Sequence, residues 1–247
     1  MNMLEIKEKE IIVFTDGSSR GNPGPGGFGV VALYPDAHSK MCVDELGGRE
    51  ESTTNNRMEL KAVIEAIKNF IGYYSHTDIS ELSWKFYVDS GYVIQGAQTW
   101  IKGWKKNNWY TSTKEPVKNK DLWEEFDTLV TENNLNIIWN QIEGHAGVFG
   151  NERCDVIATN FADNKVVSLF TGPLSEYQLT KEGEGILNID ALDMDKKNAL
   201  KKRKSGVGTK AYSYVSSIDG VIEVHSSWAE CEHRVKGKSK ARTKPSI

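Results

Sequence analysis

Four short apolar runs, each closed by turn-forming residues, limit what the first part of this chain can build. Ile11 to Thr15 (IIVFT) stops at Asp16-Gly17, FGVVALY occupies 28–34, KMCVDELGG occupies 40–48 and WKFYVD occupies 84–89. Runs of this length between Gly, Pro, Asn and Asp residues read as strands, and the short spacing of the first three predicts antiparallel hairpins. Between the first two lies SSRGNPGPGG, a segment rich enough in Gly and Pro to be expected as an irregular loop. Thr54 or Asn55 can cap a helix beginning near Asn56, and Met58, Ala62, Ala66 and Phe70 recur along one face of it. The stretch GYVIQGAQTWIKGWKK, at 91–106, starts as a helix and becomes basic and aromatic. Residues 122–132 have helical spacing, 135–144 read as a strand and 150–164 as a last helix. This order predicts one α/β domain with a mixed sheet, hairpin strands first and crossover-connected parallel strands after.

Beyond residue 165 the periodicity dissolves. Residues 166–209 read as a flexible linker with one short helix near 189–200. Residues 210–247 then give two strands and a short helix, a small α+β module with little core of its own. The expected organisation is therefore a domain at 8–165, a linker at 166–209 and a module at 210–247. The net charge of −3 hides an asymmetry: 1–165 carry 17 basic and 24 acidic residues, 166–195 carry 1 and 6, and 196–247 carry 13 and 4. A basic tail on an acidic body suggests an anionic partner such as nucleic acid, although a merely solvated tail would look the same. No run of about 18 apolar residues is present, so no membrane span is expected. The N-terminus lacks a secretory pattern, and three widely spaced cysteines suggest neither a disulfide framework nor a zinc site. A reducing cytoplasmic setting and a monomer are the default expectations.

The chemical content lies in four acids on four elements. Asp16 closes the first strand, Glu59 sits in the first turns of the first helix, Asp89 closes the fourth strand and Asp155 lies in the last helix. Strand ends and helix starts meet at one rim of an open α/β sheet, where such sheets place their sites. Four clustered carboxylates repel, and hard divalent cations with oxygen ligands relieve that repulsion, which points to magnesium, with manganese able to substitute. Two such ions about 3.5–4 Å apart can activate a water and stabilise the leaving oxygen of a phosphodiester. Taken singly, each acid reads more simply as a turn, helix-start or surface residue; only the set carries the hypothesis. His145, in the Gly-flanked GHAGVFG loop, is suited to proton transfer near neutral pH.

These segments together resemble the ribonuclease HI family. DGSSRGNPGPGGFG (16–29), TTNNRMEL (53–60), YVDSGYV (87–93), TWIKGWKKNNWYTSTKEPVKNKDLW (99–123) and GHAGVFGNERCDVIA (144–158) match its motifs in order and approximate spacing. The resemblance implies a five-stranded mixed sheet flanked by helices. It implies hydrolysis of the RNA strand of RNA–DNA hybrids to 5′-phosphate and 3′-hydroxyl ends by a two-metal-ion mechanism, the chemistry of primer removal and R-loop clearance. Carried over by motif, Asp16, Glu59, Asp89 and Asp155 bind metal and His145 assists proton transfer or product departure. Asn22, Asn55 and Asn56 face the minor groove, where 2′-hydroxyls distinguish RNA from DNA. Thr54 binds a phosphate of the DNA strand. Lys102, Lys105 and Lys106 of a basic protrusion meet phosphates, Trp100, Trp104 and Trp109 pack or contact the backbone, and Lys118 and Asn119 line the same channel. Two departures stand out: Gly91 replaces a Gln that commonly follows the Asp-Ser pair, and Val148-Phe149-Gly150 replaces a more polar, Pro-containing loop.

The segment YSYVSSIDGVIEVHSSWAECEHRVKGKSKAR, at 212–242, resembles the small hybrid-binding module of other ribonucleases H, also found in caulimovirus viroplasmin. That resemblance implies stacking of Trp228 on a deoxyribose, phosphate contacts from Lys236, Lys238, Arg242 and Lys244, and an affinity that can extend to double-stranded RNA. The usual aromatic near Thr243 is missing, and the module reads as truncated at Ile247. Two other classes compete with the hybrid-specific endonuclease: a non-catalytic binder of hybrids or double-stranded RNA, and a transposase, resolvase or reverse-transcriptase fragment of the same fold. The intact acid set opposes the first; the NNRMEL and GHAG motifs and the basic protrusion oppose the second.

Overall fold

A computed structural model describes residues 9–75, 79–144, 148–177, 213–218, 221–225, 233, 236 and 242–246. The chain forms two compact units, Met1–Asp195 and Lys196–Ile247. In the first, three strands come in succession: β1 (Glu10–Ser19), β2 (Gly24–Pro35) and β3 (Met41–Thr53). Helix α1 (Asn55–Tyr73) leads to β4 (Ser83–Val88). Then come α2 (Gly91–Gln95), a π-helical turn over Gly96–Trp100, α3 (Ile101–Lys106) and α4 (Lys120–Glu132). Strand β5 (Asn136–Gln141), helix α5 (Phe149–Ala162) and strand β6 (Thr171–Pro173) complete the unit.

The sheet runs in the order β5-β4-β1-β2-β3-β6. β4 pairs in parallel with both β1 and β5, whereas β1-β2, β2-β3 and β3-β6 are antiparallel. Alternate side chains of β1 enter two different cores, as the two-residue period of a strand requires. Ile11 and Val13 pack with Leu60, Ile64 and Phe70 of α1 and with Trp123 and Phe126 of α4. Ile12 and Phe14 pack on the other face with Cys154 and Ile157 of α5. A central strand buried on both faces has no polar alternation, which is why IIVF is an unbroken apolar run.

Two expectations are corrected. The sheet has six strands, not five: β6 lies inside the presumed linker and pairs Cys42 to Asp44 of β3 with Pro173 to Thr171. The short helix predicted near 189–200 lies outside the described residues. The Gly-Pro segment is also mostly strand, because only residues 20–23 fall between β1 and β2. Its glycines form a packing surface for α5. A Cβ on Gly27 would lie 2.4 Å from the carbonyl oxygen of Ala158, and one on Gly29 2.2 Å from that of Cys154. The helix therefore rests directly on the strand backbone.

The second unit contains an antiparallel sheet of order β8-β7-β9, from β7 (Ser213–Ile218), β8 (Val221–His225) and β9 (Arg242–Ser246). The third strand occupies the tract read from sequence only as basic residues. Among the described residues, no helix is long and apolar enough to cross a membrane.

Candidate active site

The parallel register of the central strands begins the assembly. The β1-β4 ladder ends at Thr15 opposite Val88, so the next residue on each strand is an acid, Asp16 and Asp89. Asp16 is thus the first residue past the parallel ladder rather than the end of β1, which continues to Ser19 beside β2. The third acid arrives with α1. Thr54 caps this helix by accepting a 3.4 Å bond from the Arg57 amide, which leaves Glu59 in its second turn. Gly17 lets the helix close on the strand: a Cβ there would lie 2.2 Å from the Glu59 nitrogen and 2.5 Å from the Met58 carbonyl carbon. One carboxylate oxygen each from Asp16, Glu59 and Asp89 lie within 4.8 Å of one another. Asp155, half-buried on α5, accepts a 3.3 Å bond from Thr159 Oγ1 and stands outside that trio, yet near enough to act on Asp16 electrostatically.

The cluster carries the signature of uncompensated charge. Burial, reinforced by Asp89 and Asp155, pushes the Asp16 carboxyl up to about 7, against one lowering influence, its 2.7 Å bond from the Gly17 amide. Glu59 is pushed well above the carboxylate range by burial, then by Asp16 and Asp89. Glu59 Oε1 accepts from Asn55 Nδ2 at 3.2 Å, whereas Oε2 is buried with no hydrogen-bond partner among the described residues. An oxygen-only donor set, mutual repulsion and an orphaned buried oxygen fit a hard divalent cation held by Asp16, Glu59 and Asp89.

Two neighbours carry no obvious mark in the sequence. Asn151 lies four residues before Asp155, on the same face of α5. It is 4% exposed, its Nδ2 sits 3.5 Å from Asp89 Oδ2, and its Oδ1 has no partner among the described residues. The i, i+4 spacing to Asp155 was the available signal. Gly144 passes so close to Asp89 that a Cβ would lie 3.1 Å from Oδ2. His145, which follows it, lies outside the described residues, as do Trp228 and Lys238.

The remaining substrate-contact candidates divide into open and occupied groups. Asn22, in the β1-β2 loop, and Asn55 and Asn56, at the start of α1, are exposed, with Asn55 also engaged on Glu59. Lys102, Lys106 and Lys118 are exposed, as is Lys236 of the second unit. Lys105 is ion-paired with Asp127 at 2.7 Å. Trp104 packs on Trp100 and on the fully buried Trp123, with ring centroids 5.7 and 5.5 Å away. Asn119 takes a left-handed conformation (φ 57°), and its amide donates to Tyr92 Oη at 3.0 Å. The same phenol oxygen accepts from Trp123 Nε1 at 2.7 Å. Arg57 binds Asp121 through both terminal guanidinium nitrogens, at 2.9 and 2.8 Å, tying the first turn of α1 to that of α4. These contacts of Tyr92 and Asp121 are invisible in the sequence because their partners are remote along the chain.

Comparison with known proteins gives the family of the chain. The RNase H family profile matches residues 8–163. The chain belongs to the ribonuclease H family. The ribonuclease H of Thermosynechococcus vestitus is 44% identical over 161 residues, 65% of this chain and 94% of that protein. That of Shewanella frigidimarina is 45% identical over 170 residues, 69% of this chain and 98% of its own length. Among solved structures, LC9-RNase H1, described as a type 1 RNase H with the type 2 active-site motif, superposes with a TM-score of 0.57 at 28% identity. That match covers 71% of this chain and 83% of LC9-RNase H1. Cleavage of the RNA strand of RNA–DNA hybrids, the activity implied by the motifs, is the reaction of this family, and this enzyme is a hydrolase of that kind.

Proposed function

We propose that the enzyme cuts the RNA strand of a hybrid at the rim formed by Asp16, Glu59, Asp89 and Asp155, leaving 5′-phosphate and 3′-hydroxyl ends. The observation that carries this reading is the trio of carboxylates within 4.8 Å, one of them with a buried oxygen that has no partner among the described residues. One or two magnesium ions held there supply Lewis-acid stabilisation of the negative charge that builds on the phosphodiester. The protein's own part is orientation. The Gly17 amide fixes one Asp16 oxygen, the Asn55 amide fixes one Glu59 oxygen, and Asn151 approaches Asp89. The exposed amides of Asn22, Asn55 and Asn56 suit 2′-hydroxyls and base edges of the minor groove. Lys102, Lys106 and Lys118 suit phosphates, and Thr54 a phosphate of the DNA strand. Lys105 reaches one only by leaving Asp127. His145 is assigned proton transfer to the departing oxygen. The second unit, with exposed Lys236 and a basic surplus, adds sequence-independent hold on the duplex.

The test presents one labelled sequence as hybrid, double-stranded RNA, double-stranded DNA and single-stranded RNA, with magnesium and with EDTA. Magnesium-dependent cutting of the hybrid alone is expected; an uncut hybrid refutes the assignment. Asp16→Asn should lose cleavage and keep hybrid binding, since it removes a carboxylate and leaves the phosphate-facing lysines in place. Deleting residues 205–247 should flatten the salt dependence of binding by about 0.9 for each phosphate that the second unit would neutralise. An unchanged slope removes the second unit from the interface.

A further inference from the structure

Glu45 on β3 lies away from the acid cluster, and its side chain is fully shielded from solvent. A lone carboxylate so buried would be costly, but this one is saturated with donors. Arg153 of α5 gives it a two-pronged pair, Nε to Oε1 and Nη2 to Oε2, each 2.8 Å. The amide of Phe170 donates to Oε2 at 3.1 Å, and the hydroxyl of Tyr177 donates to Oε1. Arg153 Nη2 also reaches the carbonyl of Ser168 at 2.7 Å, and the Glu45 amide donates to the carbonyl of Phe170 at 2.8 Å. Together these bonds join three pieces: β3, α5 and the segment 168–177. That segment lies past residue 163, where the family match ends.

Helical geometry gives the network its consequence. Asn151 and Asp155 are four residues apart and share a face of α5, while Arg153, two residues from each, is turned roughly 200° from them. The helix is therefore held from behind by Glu45 and from the front by the contact of Asn151 with Asp89. Its underside rests on the backbone of Gly27 and Gly29. A buried ion pair adds little stability compared with an apolar replacement, but a guanidinium fork on a carboxylate fixes direction closely.

We infer that Glu45, Arg153 and Tyr177 are positioning residues: the segment 168–177 latches α5 so that Asp155 and Asn151 face the acid cluster. This rests on the catalytic reading of Asp155 proposed above. The latch acts on rate and metal affinity rather than on duplex binding, because none of its members lies on the exposed amide or lysine surfaces.

The experiment uses the full chain carrying Tyr177→Phe, and separately the triple change Glu45→Leu, Arg153→Met and Tyr177→Phe, which exchanges the ion pair for apolar side chains of similar bulk. Magnesium binding is measured calorimetrically without substrate, thermal unfolding in EDTA, and kcat and KM on a hybrid. The triple variant is expected to lose roughly tenfold in magnesium affinity and in kcat, as supporting shells of metal sites do, with KM unchanged. Tyr177→Phe, which removes one hydroxyl, should lose about fivefold in kcat, and it carries the test if the triple variant does not fold. A lowered melting temperature with wild-type kcat and magnesium affinity overturns the latch. Asp155→Asn separates the two readings: an active Asp155→Asn enzyme defeats the catalytic assignment, and an inactive one beside a fully active Tyr177→Phe enzyme defeats the latch alone.

Discussion

Substituting Gly17 by Ala should disable the enzyme without unfolding it. The added Cβ would stand 2.2 Å from the Glu59 nitrogen, where ordinary contact begins at 3.4 Å, so strand and helix must part by about 1.2 Å. Both obstructing groups are backbone, so no rotamer change relieves the overlap. Overpacking of this kind costs about 1–3 kcal/mol, inside the roughly 5–15 kcal/mol stability of a typical domain. The displaced residue is Glu59 itself, and a shift of about 1 Å in a catalytic constellation costs on the order of 100-fold in rate. Single-turnover cleavage with enzyme in excess reads the chemical step, and a circular-dichroism melt reads folding. A folded Gly17→Ala enzyme cutting within about threefold of wild type would refute the claim that this close approach sets the site.

Three further outcomes are expected. The Asp16 carboxyl is raised from 3.8 to about 7, by burial first and then by Asp89 and Asp155. Between those values the folded state holds a proton that the unfolded state has released, so this group's contribution to stability falls as pH rises through the window and is gone above about 7. Denaturant unfolding in EDTA should therefore show a more stable protein near pH 5 than near pH 7.5, and the opposite order would contradict it. Asp16→Asn should raise the melting temperature in EDTA by removing one of the repelling charges, and a fall would mean that the cluster is already neutralised. Tyr92→Phe leaves the buried indole N–H of Trp123 without its acceptor, and should cost about 1–3 kcal/mol in denaturant unfolding; no change would show that the bond contributes nothing net.

Which parts of this fold could be read from sequence follows from how local their causes are. The Thr54 cap and the four-residue spacing from Met58 to Phe70 concern neighbours along the chain, and both are present in α1. The acid trio was legible because strand ends and a helix start are themselves local features. The glycines of β2 look like loop in the sequence because their reason is α5, which comes more than 100 residues later. β6 escapes notice for the same cause: three residues have no periodicity, and what places them is pairing with β3 together with the bonds of Glu45. Lys105 looks like a free phosphate ligand because nothing in its own segment announces Asp127.

The seat of α5 on the glycine backbone also gives the protein a built-in chemical clock. Cys154, next to Asp155, is 0% exposed, and burial pushes its thiol well above the usual range. Reagents attack the thiolate, so the closed enzyme offers them nothing at this position. Cys154 can be alkylated only while α5 is lifted from the strands, and its labelling rate therefore counts those openings. A single sulfur atom thus turns the seating of one helix into a quantity that a mass spectrometer follows over time, in the resting enzyme and with magnesium or hybrid added.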